Sequence, residues 1–509
     1  MEYKYIKING NNLTLNNLVN IARNSYKVVL DEEAEERVKR SRRIVDDIVE
    51  NDRVVYGITT GFGKFADVTI SQDDCKTLQR NLIVSHACGT GEVFPIDITR
   101  AIMLLRINNL AKGYSGIRLS TLNTLIEMLN KGVHPIIPEK GSLGASGDLA
   151  PLAHMVLPMI GEGEAEYEGE ILSGLEAMKR AGIDIVELTS KEGLALINGT
   201  QVMTAVGALA LYDSISLIKI SDIAASLTLE ALRGIKDAYD LRTHIVRPHK
   251  GQIDTAKNIL NLIEGSSFTT RQGELRVQDA YTLRCVPQVH GASKDAINYV
   301  KEKVEIEINS VTDNPIITEE GDVISGGNFH GQPMAISFDF LGIAAAEIAN
   351  ISERRLERLI NFQLNDLPPF LVKHGGLNSG FMITQYAAAA LVSENKVLAH
   401  PASVDSIPSS ANQEDHVSMG TIAARKARDI VENAIRVLAT ELMAACQAID
   451  FREGFKLGCG TQEAYNIIRE EVEFIENDKI MYKELDKCTE LIKNGKLLDS
   501  VEQKVKLLF

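Results

Sequence analysis

The chain has 509 residues, and its 54 basic and 69 acidic side chains give a formal net charge of −15. An acidic surface repels nucleic acid and anionic membranes, so we expect neither as a partner and favour a small-molecule ligand. The six cysteines are scattered without any C-x-x-C pair, which argues against a zinc site and a disulfide framework and fits a cytoplasmic protein. The start, MEYKYIKINGNN, lacks the apolar core of a signal peptide, and no uncharged run reaches membrane-spanning length.

In chain order, most of the sequence shows helical periodicity. Strand patterns are few: YKYIKI at the start, a hairpin in EAEYEGEIL at 164–172, and PIITEEGDVIS at 315–325 with its turn at Gly321-Asp322. Shorter amphipathic helices are predicted at 31–50, 73–87, 97–112, 289–310 and 460–475. Three stretches rich in Ala, Leu, Ile, Glu and Arg predict helices of about thirty residues each, at 200–233, 331–363 and 417–449.

These long helices predict the fold class. Helices of ordinary globular proteins average about a dozen residues, so three of this length indicate a mainly α fold organised as a large bundle. We expect an N-terminal domain at 1–195 that carries a glycine-rich loop, a central long-helix bundle at 196–475, and a C-terminal helical tail at 476–509.

The glycine-rich loop, GSLGASGDLAPLAH at 141–154, contains the sequence Ala145-Ser146-Gly147. Gly147 has no Cβ, so its nitrogen can approach the Ala145 carbonyl and close a ring. Loss of two waters, one of them from the Ser146 side chain, would leave a conjugated ring with an exocyclic methylene. Such a group is an electrophile, whereas the side chains used in covalent catalysis are nucleophiles or bases.

A phosphate-binding loop is the alternative interpretation of the same glycines. A Walker loop needs Lys followed by Ser or Thr after its last glycine, but here Asp148 follows Gly147 and its charge would repel a phosphate. A dinucleotide fold would also need alternating strands and helices around the loop, and the chain does not supply them.

This segment resembles the signature of the aromatic amino acid ammonia-lyases, in which the Ala-Ser-Gly triad cyclises to 4-methylidene-imidazole-5-one (MIO). The resemblance implies a MIO group formed from Ala145, Ser146 and Gly147 with no external cofactor. It also implies a fumarase/aspartase-like helical architecture and a homotetramer in which three subunits contribute to each active site. The Met-Pro-x-Lys signature of the fumarase and aspartase superfamily itself is absent.

Two further segments resemble the family and carry polar candidates. YGITTGFG at 56–63 places Tyr56 on a glycine-rich loop, and the family assigns this tyrosine as the catalytic base. A tyrosine packed by its ring is the alternative. NGTQ at 198–201 supplies Asn198, which by resemblance binds the substrate and otherwise caps a helix.

Three segments later in the chain complete the resemblance. VQDAYTLRCVPQVHG at 277–291 gives Tyr281 beside the reactive ring and Arg284, a guanidinium suited to a substrate carboxylate, although a lone arginine is more often a surface ion pair. SGGNFHGQP at 325–333 gives Phe329, which the family packs over the electrophile. QEDHVSM at 413–419 supplies Gln413 for substrate binding and Glu414 for catalysis. Which tyrosine acts as the base stays open.

Two positions predict the substrate. His86, between Ser85 and Ala87, resembles family members that act on histidine, and by resemblance it meets the substrate ring. Glu414 suits an imidazole N–H, whereas a phenyl ring would leave a buried charge uncompensated. We therefore expect L-histidine as the substrate, with trans-urocanate and ammonia as products. Tyrosine or phenylalanine ammonia-lyase activity, a related aminomutase activity, and a bundle protein whose triad never cyclises are the alternatives.

Two other kinds of site find no support in the sequence. His290, His330, His374 and His416 include no pair at i, i+4 with a carboxylate in a shared helical pattern, so no metal site is expected. A Ser-His-Asp hydrolase would need a G-x-S-x-G elbow, which is missing.

Overall fold

The computed structural model of the chain describes residues 4–61 and 70–509. The chain forms two compact units, each built from three separate stretches of sequence. The first unit comprises Met1–Leu209, Lys301–Asp339 and Pro401–Arg425, and the second comprises Ala210–Val300, Phe340–His400 and Lys426–Phe509. The three domains expected from the sequence, with boundaries at residues 195 and 475, stay a prediction.

Helices account for most of the described chain, which confirms the mainly α fold. In the described ranges they are α1 Leu15–Arg23, α2 Glu32–Glu50, α3 Gln72–His86, α4 Ile96–Ala111, α5 Leu119–Lys131, α6 Leu149–Val156, α7 Gly174–Arg180, α8 Glu192–Ile197, α9 Gln201–Ala231, α10 Leu241–Ile245, α11 Lys250–Leu262, α12 Tyr281–Arg284, α13 Val286–Glu307, α14 Gln332–Ile360, α15 Met382–Leu398, α16 Gly420–Asp450, α17 Cys459–Glu471, α18 Met481–Lys493 and α19 Lys496–Glu502. Short 3₁₀ turns lie at Leu157–Ile160, Lys236–Tyr239, Pro369–Leu371 and Ser410–Asn412.

The strands found in the described residues are short, and all of them belong to the first unit. They are β1 Tyr5–Ile8, β2 Lys27–Leu30, β3 Thr90–Val93, β4 His134–Pro135, β5 Pro138–Lys140, β6 Glu164–Tyr167, β7 Glu170–Ser173, β8 Ile316–Ile317 and β9 Val323–Ile324. β1 pairs with β2 in parallel, and the other pairs, β3 with β5, β4 with β6, β6 with β7, and β8 with β9, are antiparallel.

The three long helices predicted from the sequence are confirmed as α9, α14 and α16, with ends that differ from the predicted ones by at most three residues. Pro333 is the second residue of α14, where its missing N–H costs no helical hydrogen bond. The hairpin of β6 and β7 and the pair of β8 and β9 also lie where the alternating patterns predict them.

Two long helices meet the length and composition expected of a membrane span, although neither is free of charged residues. They are α9 and α14, and 78% and 67% of their most apolar windows lie buried inside the fold. Burial of this kind is typical of core helices.

Helix α4 forms the core of the first unit, because its side chains from Ile98 to Ala111 are all buried. Arg106, near its centre, donates to the carbonyl oxygens of Ala195 and Asn198, each at 3.0 Å. Burial lowers the pKa of the Arg106 guanidinium to about 10. A buried cation thus holds the segment between α8 and α9, where the candidate site begins.

Candidate active site

The triad lies in a tight turn. Gly144 and Gly147 pair across it, and Ser146 adopts a left-handed backbone conformation with φ of +54°. Gly147 is also left-handed, with φ of +79°, and a Cβ there would lie 2.1 Å from the carbonyl oxygen of Gly199. A non-glycine residue at 147 would therefore meet both steric overlap and backbone strain.

Asp148 anchors this turn to the starts of two long helices. Its buried carboxylate accepts from the backbone N–H groups of Val202 and Met203, each at 2.9 Å, in the first turn of α9. The hydroxyl of Ser142 donates to it at 2.8 Å, and the hydroxyl of Thr421, in the first turn of α16, donates as well. Burial raises the pKa of Asp148, while these donors and the positive end of α9 act against that shift.

A cavity of about 870 Å³ opens beside the turn, within the first unit. Apolar side chains form much of its wall, and polar groups interrupt that wall at a few points. The lining residues are Tyr56, Gly61, Ile70, Leu78, Asn81, Leu82, Ser85, His86, Ser146, Leu149, Leu194, Asn198, Asn314, Ser410, Ala411 and Glu414. A concave, largely apolar cavity with a few converging polar groups is typical of a small-molecule site.

Glu414 faces the triad directly. The Ser146 hydroxyl donates to Oε1 of Glu414 at 2.7 Å, and the Ser409 hydroxyl donates to Oε2 at 3.1 Å. The backbones of Ser409 and Glu414 also pair, with Ser409 N donating to the Glu414 carbonyl oxygen at 2.9 Å. The residues between them include a left-handed run at Ser410, Ala411 and Asn412. The loop therefore fixes the carboxylate against the serine.

His86 is the last residue of α3 and lines the same cavity. The hydroxyl oxygen of Ser85 lies 3.1 Å from its Nδ1. Burial lowers the pKa of the His86 imidazole below 6.5, while the charge of Glu414 acts in the opposite direction. Burial therefore favours the neutral form of the ring.

Asn198 is 2% exposed and is held by its amide nitrogen. Its Nδ2 donates to Oδ1 of Asp313 at 3.2 Å and to the carbonyl oxygen of Asn314 at 3.1 Å. Lys191 Nζ pairs with Asp313 at 2.9 Å, so the carboxylate that holds Asn198 is itself fixed. Within residues 4–61 and 70–509, Oδ1 of Asn198 is buried without a hydrogen-bond partner. A buried acceptor of this kind is a place for a ligand donor.

The comparison with known families agrees with this geometry. The model of the family described as aromatic amino acid lyase matches residues 13–470. The chain belongs to the aromatic amino acid lyase family.

Relatives and solved structures extend over nearly the whole chain. A histidine ammonia-lyase of Clostridium tetani is 76% identical over 508 residues, which is 99% of each chain. The crystal structure of histidine ammonia-lyase from Trypanosoma cruzi is similar with a TM-score of 0.92 and 40% identity, over 98% of this chain and 96% of that one. The tyrosine aminomutase of Streptomyces globisporus is similar with a TM-score of 0.95 and 36% identity, over 99% of each chain.

Five of the site residues predicted from the sequence line the cavity together. They are Tyr56, His86, Ser146, Asn198 and Glu414. Ala145 and Gly147 flank Ser146 in the turn. Residues 62–63 of the YGITTGFG segment lie outside the described residues.

Four other candidates are not among the residues that line the cavity. Gln413 is exposed, and its backbone N–H donates to the Ser410 carbonyl oxygen at 3.1 Å. Phe329 is half-buried in the turn between β9 and α14. Tyr281 and Arg284 belong to the second unit. There the Tyr281 side chain is 71% exposed, and the Arg284 guanidinium lies 4.6 Å from the centre of its ring.

Several residues of the site were missed at the level of sequence. Leu78, Leu82 and Ser85 lie on the face of α3 that carries His86, and their spacing of four and three residues was the available signal. Asp148 acts through hydrogen bonds to residues more than fifty positions away, and Ser409 acts five positions along the chain, across a loop whose left-handed backbone no sequence pattern revealed. Across the described ranges, no group of three or more His, Cys, Asp or Glu side chains is arranged to hold a metal ion.

Proposed function

We propose that this chain is a histidine ammonia-lyase, which converts L-histidine into trans-urocanate and ammonia. The observation that carries the proposal is the position of Glu414, whose carboxylate lies 2.7 Å from Ser146 in a cavity that also contains His86. An imidazole N–H can donate to this carboxylate, whereas a phenyl ring would desolvate it without compensation. Relatives named histidine ammonia-lyase at 62% to 76% identity support the same substrate.

We infer that Ala145, Ser146 and Gly147 cyclise to MIO, so that no external cofactor is needed. The tight turn, the left-handed backbone at Ser146 and the side-chain-free contact of Gly147 with Gly199 suit such a ring. When formed, the group supplies an electrophile that binds the substrate nitrogen and makes ammonia a good leaving group.

The polar groups of the cavity have separate proposed roles in proton removal and substrate binding. Tyr56 is the proposed base that removes the β-proton of the substrate, a contribution of about 10²- to 10⁴-fold to the rate. Glu414 accepts a hydrogen bond from one ring nitrogen, and His86 contacts the ring from another side. The unpartnered Oδ1 of Asn198 accepts from the substrate's amino group.

We propose that Tyr281, Arg284, Phe329 and Gln413 complete the site in a cytoplasmic homotetramer, with some of them supplied by neighbouring subunits. Arg284 then binds the substrate carboxylate, because a guanidinium matches two carboxylate oxygens. The exposure of Tyr281 in the single chain supports a role at such a shared site. Dilution into monomers, followed by light scattering, should abolish activity before helicity is lost, and fully active monomers would contradict the proposal.

Incubation with single amino acids tests the function. The purified protein should release urocanate and ammonia in equal amounts from L-histidine, and it should be nearly inactive on L-phenylalanine. A chelator should leave the rate unchanged, since no metal is proposed. Coumarate from L-tyrosine at a comparable rate would instead support a tyrosine ammonia-lyase, and a β-amino acid product would support an aminomutase.

A further inference from the structure

We propose that Glu414 has an earlier function in the life of the protein: it transfers the proton that lets the Ser146 hydroxyl leave as water during formation of the ring. This inference rests on the proposed function, since it assumes that the triad cyclises. Its basis is the hydrogen bond from Ser146 Oγ to Glu414 Oε1 at 2.7 Å, which places a carboxyl group on the very oxygen that must depart.

The carboxyl group is held for this contact by the protein itself. Ser409 donates to its other oxygen at 3.1 Å, and the paired backbones of Ser409 and Glu414 fix the base of the side chain. The orientation therefore exists before any substrate binds. A general acid or base must lie within hydrogen-bond reach of the atom it serves, and Glu414 meets this condition for the Oγ of Ser146 in the unmodified chain.

The other acidic side chain beside the triad, Asp148, already accepts hydrogen bonds from other groups. Asp148 is buried next to the triad, but its two oxygens accept from Val202 N, Met203 N, Ser142 and Thr421. Glu414 is the acidic side chain among the described residues that line the cavity. Of the two carboxyl groups at the turn, Glu414 is thus the one that contacts the leaving oxygen.

The step balances without an external reagent. The Cα–H bond of Ser146 breaks and its proton passes to Glu414, while the electron pair forms the Cα–Cβ double bond. The Cβ–Oγ bond breaks, and Oγ takes the proton from Glu414 and leaves as water. Glu414 ends the step in the ionisation state in which it began, and the chain loses one water.

Departure of the hydroxyl also prepares the carboxylate for its later role. Oε1 loses the donor that occupied it, while Oε2 keeps its hydrogen bond from Ser409. The free oxygen then accepts from the imidazole N–H of the substrate. The same carboxyl group thus transfers a proton during ring formation and later accepts a hydrogen bond from the substrate.

Mass spectrometry of newly made protein tests the inference without measuring activity. The full chain is produced by cell-free synthesis, and the mass of the peptide containing Ala145 to Gly147 is followed over time. In the wild type it should decrease by two waters. In Glu414→Gln, loss of the Ser146 water should be slower by about 10²-fold or more, the usual contribution of a general acid or base.

A matched control removes a carboxylate one position along the chain. Asp415 is exposed and is not among the residues that line the cavity, so Asp415→Asn should mature at the wild-type rate. A two-water deficit in Glu414→Gln at the wild-type rate would overturn the inference. Absence of any deficit in the wild type would overturn the proposed function itself, and the inference with it.

Chemical rescue separates proton transfer from packing. Added formate should speed the loss of water in Glu414→Ala, whereas chloride at the same ionic strength should not. Circular dichroism should show the same helicity in all variants. Equal rates with formate and chloride would make Glu414 a packing group and would contradict the proposal.

Discussion

The buried polar cluster of the second unit and the polar cavity wall of the first unit satisfy their charges in opposite ways. In the second unit, Asp222 accepts from Nδ1 of His290 at 2.8 Å and from Nζ of Lys294 at 2.7 Å. Arg355 pairs with both oxygens of Glu441, at 2.6 and 2.9 Å, and its Nη1 lies 3.2 Å from Nε2 of His290. The charged side chains of this cluster, Asp222, Lys294, Arg355 and Glu441, are all buried and all paired.

The cavity wall of the first unit is left incomplete. Asn198 keeps a buried oxygen without a partner, Ser146 holds a left-handed backbone conformation, and Glu414 is occupied by a hydroxyl that the proposed ring formation removes. A completed network specifies one packing of the bundle, whereas an incomplete one leaves hydrogen-bonding capacity for a ligand. The comparison separates residues that hold the fold from residues that act on a substrate.

The largest expected effect is a loss of activity at the cavity of the first unit with no loss of stability in the second unit. Ser146→Ala removes the hydroxyl from which the electrophile forms, so turnover of L-histidine should fall by more than about 10⁴-fold, beyond what loss of a general base would cost. Thermal unfolding should change little, because Glu414, which loses this hydroxyl as a donor, keeps its hydrogen bond from Ser409. Substantial turnover in this variant would contradict the role of the triad.

Glu441→Gln should destabilise the buried polar cluster of the second unit. It leaves the Arg355 guanidinium buried without its counter-charge, which costs about 3–5 kcal/mol in the free energy of unfolding. The double variant Arg355→Met with Glu441→Leu should be less destabilised than the single one, since it leaves no unpaired charge. Urea unfolding at one protein concentration measures both, and equal stability of Glu441→Gln and wild type would refute the account of this cluster.

The pH dependence of stability sharpens the comparison further. Burial lowers the pKa of His290 below 6.5, because protonation would desolvate a charge and place it beside Arg355. From pH 6.5 down to this lowered pKa, the unfolded chain binds a proton that the folded chain does not. Stability should therefore decrease as the pH is lowered, with a slope from this group that approaches about 1.4 kcal/mol per pH unit below pH 6.5 and fades above it.

Comparison of unfolding curves for wild type and His290→Asn between pH 7 and 5 isolates that contribution. The pH slope of the variant should be smaller, although its stability at pH 7 is lower. His374→Asn, at an exposed histidine, serves as the control and should keep the wild-type slope. An unchanged slope in His290→Asn would contradict the assignment.

The smallest expected effect concerns a link from the second unit's core to a proposed substrate-binding residue. The buried hydroxyl of Tyr239 donates to the carbonyl oxygen of Leu283 at 2.6 Å, one residue before Arg284. Tyr239→Phe removes this hydrogen bond and should weaken substrate binding by about 1 kcal/mol, because the segment that carries Arg284 is held less firmly. KM for L-histidine should then rise about fivefold with kcat nearly unchanged, while the exposed control Tyr482→Phe should leave both constants unchanged. A fall in kcat alone would contradict a positioning role for Tyr239.

Local patterns predicted much of this molecule. The period of 3.6 residues located α9, α14 and α16, and alternation located β6 and β7, because both signals are set by neighbouring residues. The parallel pairing of β1 with β2 and the pairing of β3 with β5 depend on contacts between distant residues. Sequence patterns therefore did not reveal them.

The same distinction holds for the site. Ser146 and Glu414 were found by resemblance to a family, and their contact spans 268 positions of the sequence. The anchor of Asp148 on α9 arises only when separate segments fold together, and the hydrogen bond from Ser409 to Glu414 depends on a left-handed loop backbone that the sequence pattern did not predict. Chemistry-bearing residues can be read from motifs, but the residues that orient them emerge from tertiary structure.

Substrate selectivity measures the central claim most directly, namely that the cavity is built around Glu414 for an imidazole. The ratio of kcat/KM for L-histidine to that for L-phenylalanine is determined for wild type, Glu414→Gln, and Glu414→Gln with His86→Phe, each normalised to the fraction of chains with the two-water mass deficit. The account predicts a wild-type ratio of about 10³ or more, a steep loss of histidine turnover in Glu414→Gln, and a shift toward phenylalanine in the double variant. Comparable wild-type rates on L-tyrosine and L-histidine, or full histidine activity in Glu414→Ala, would contradict it.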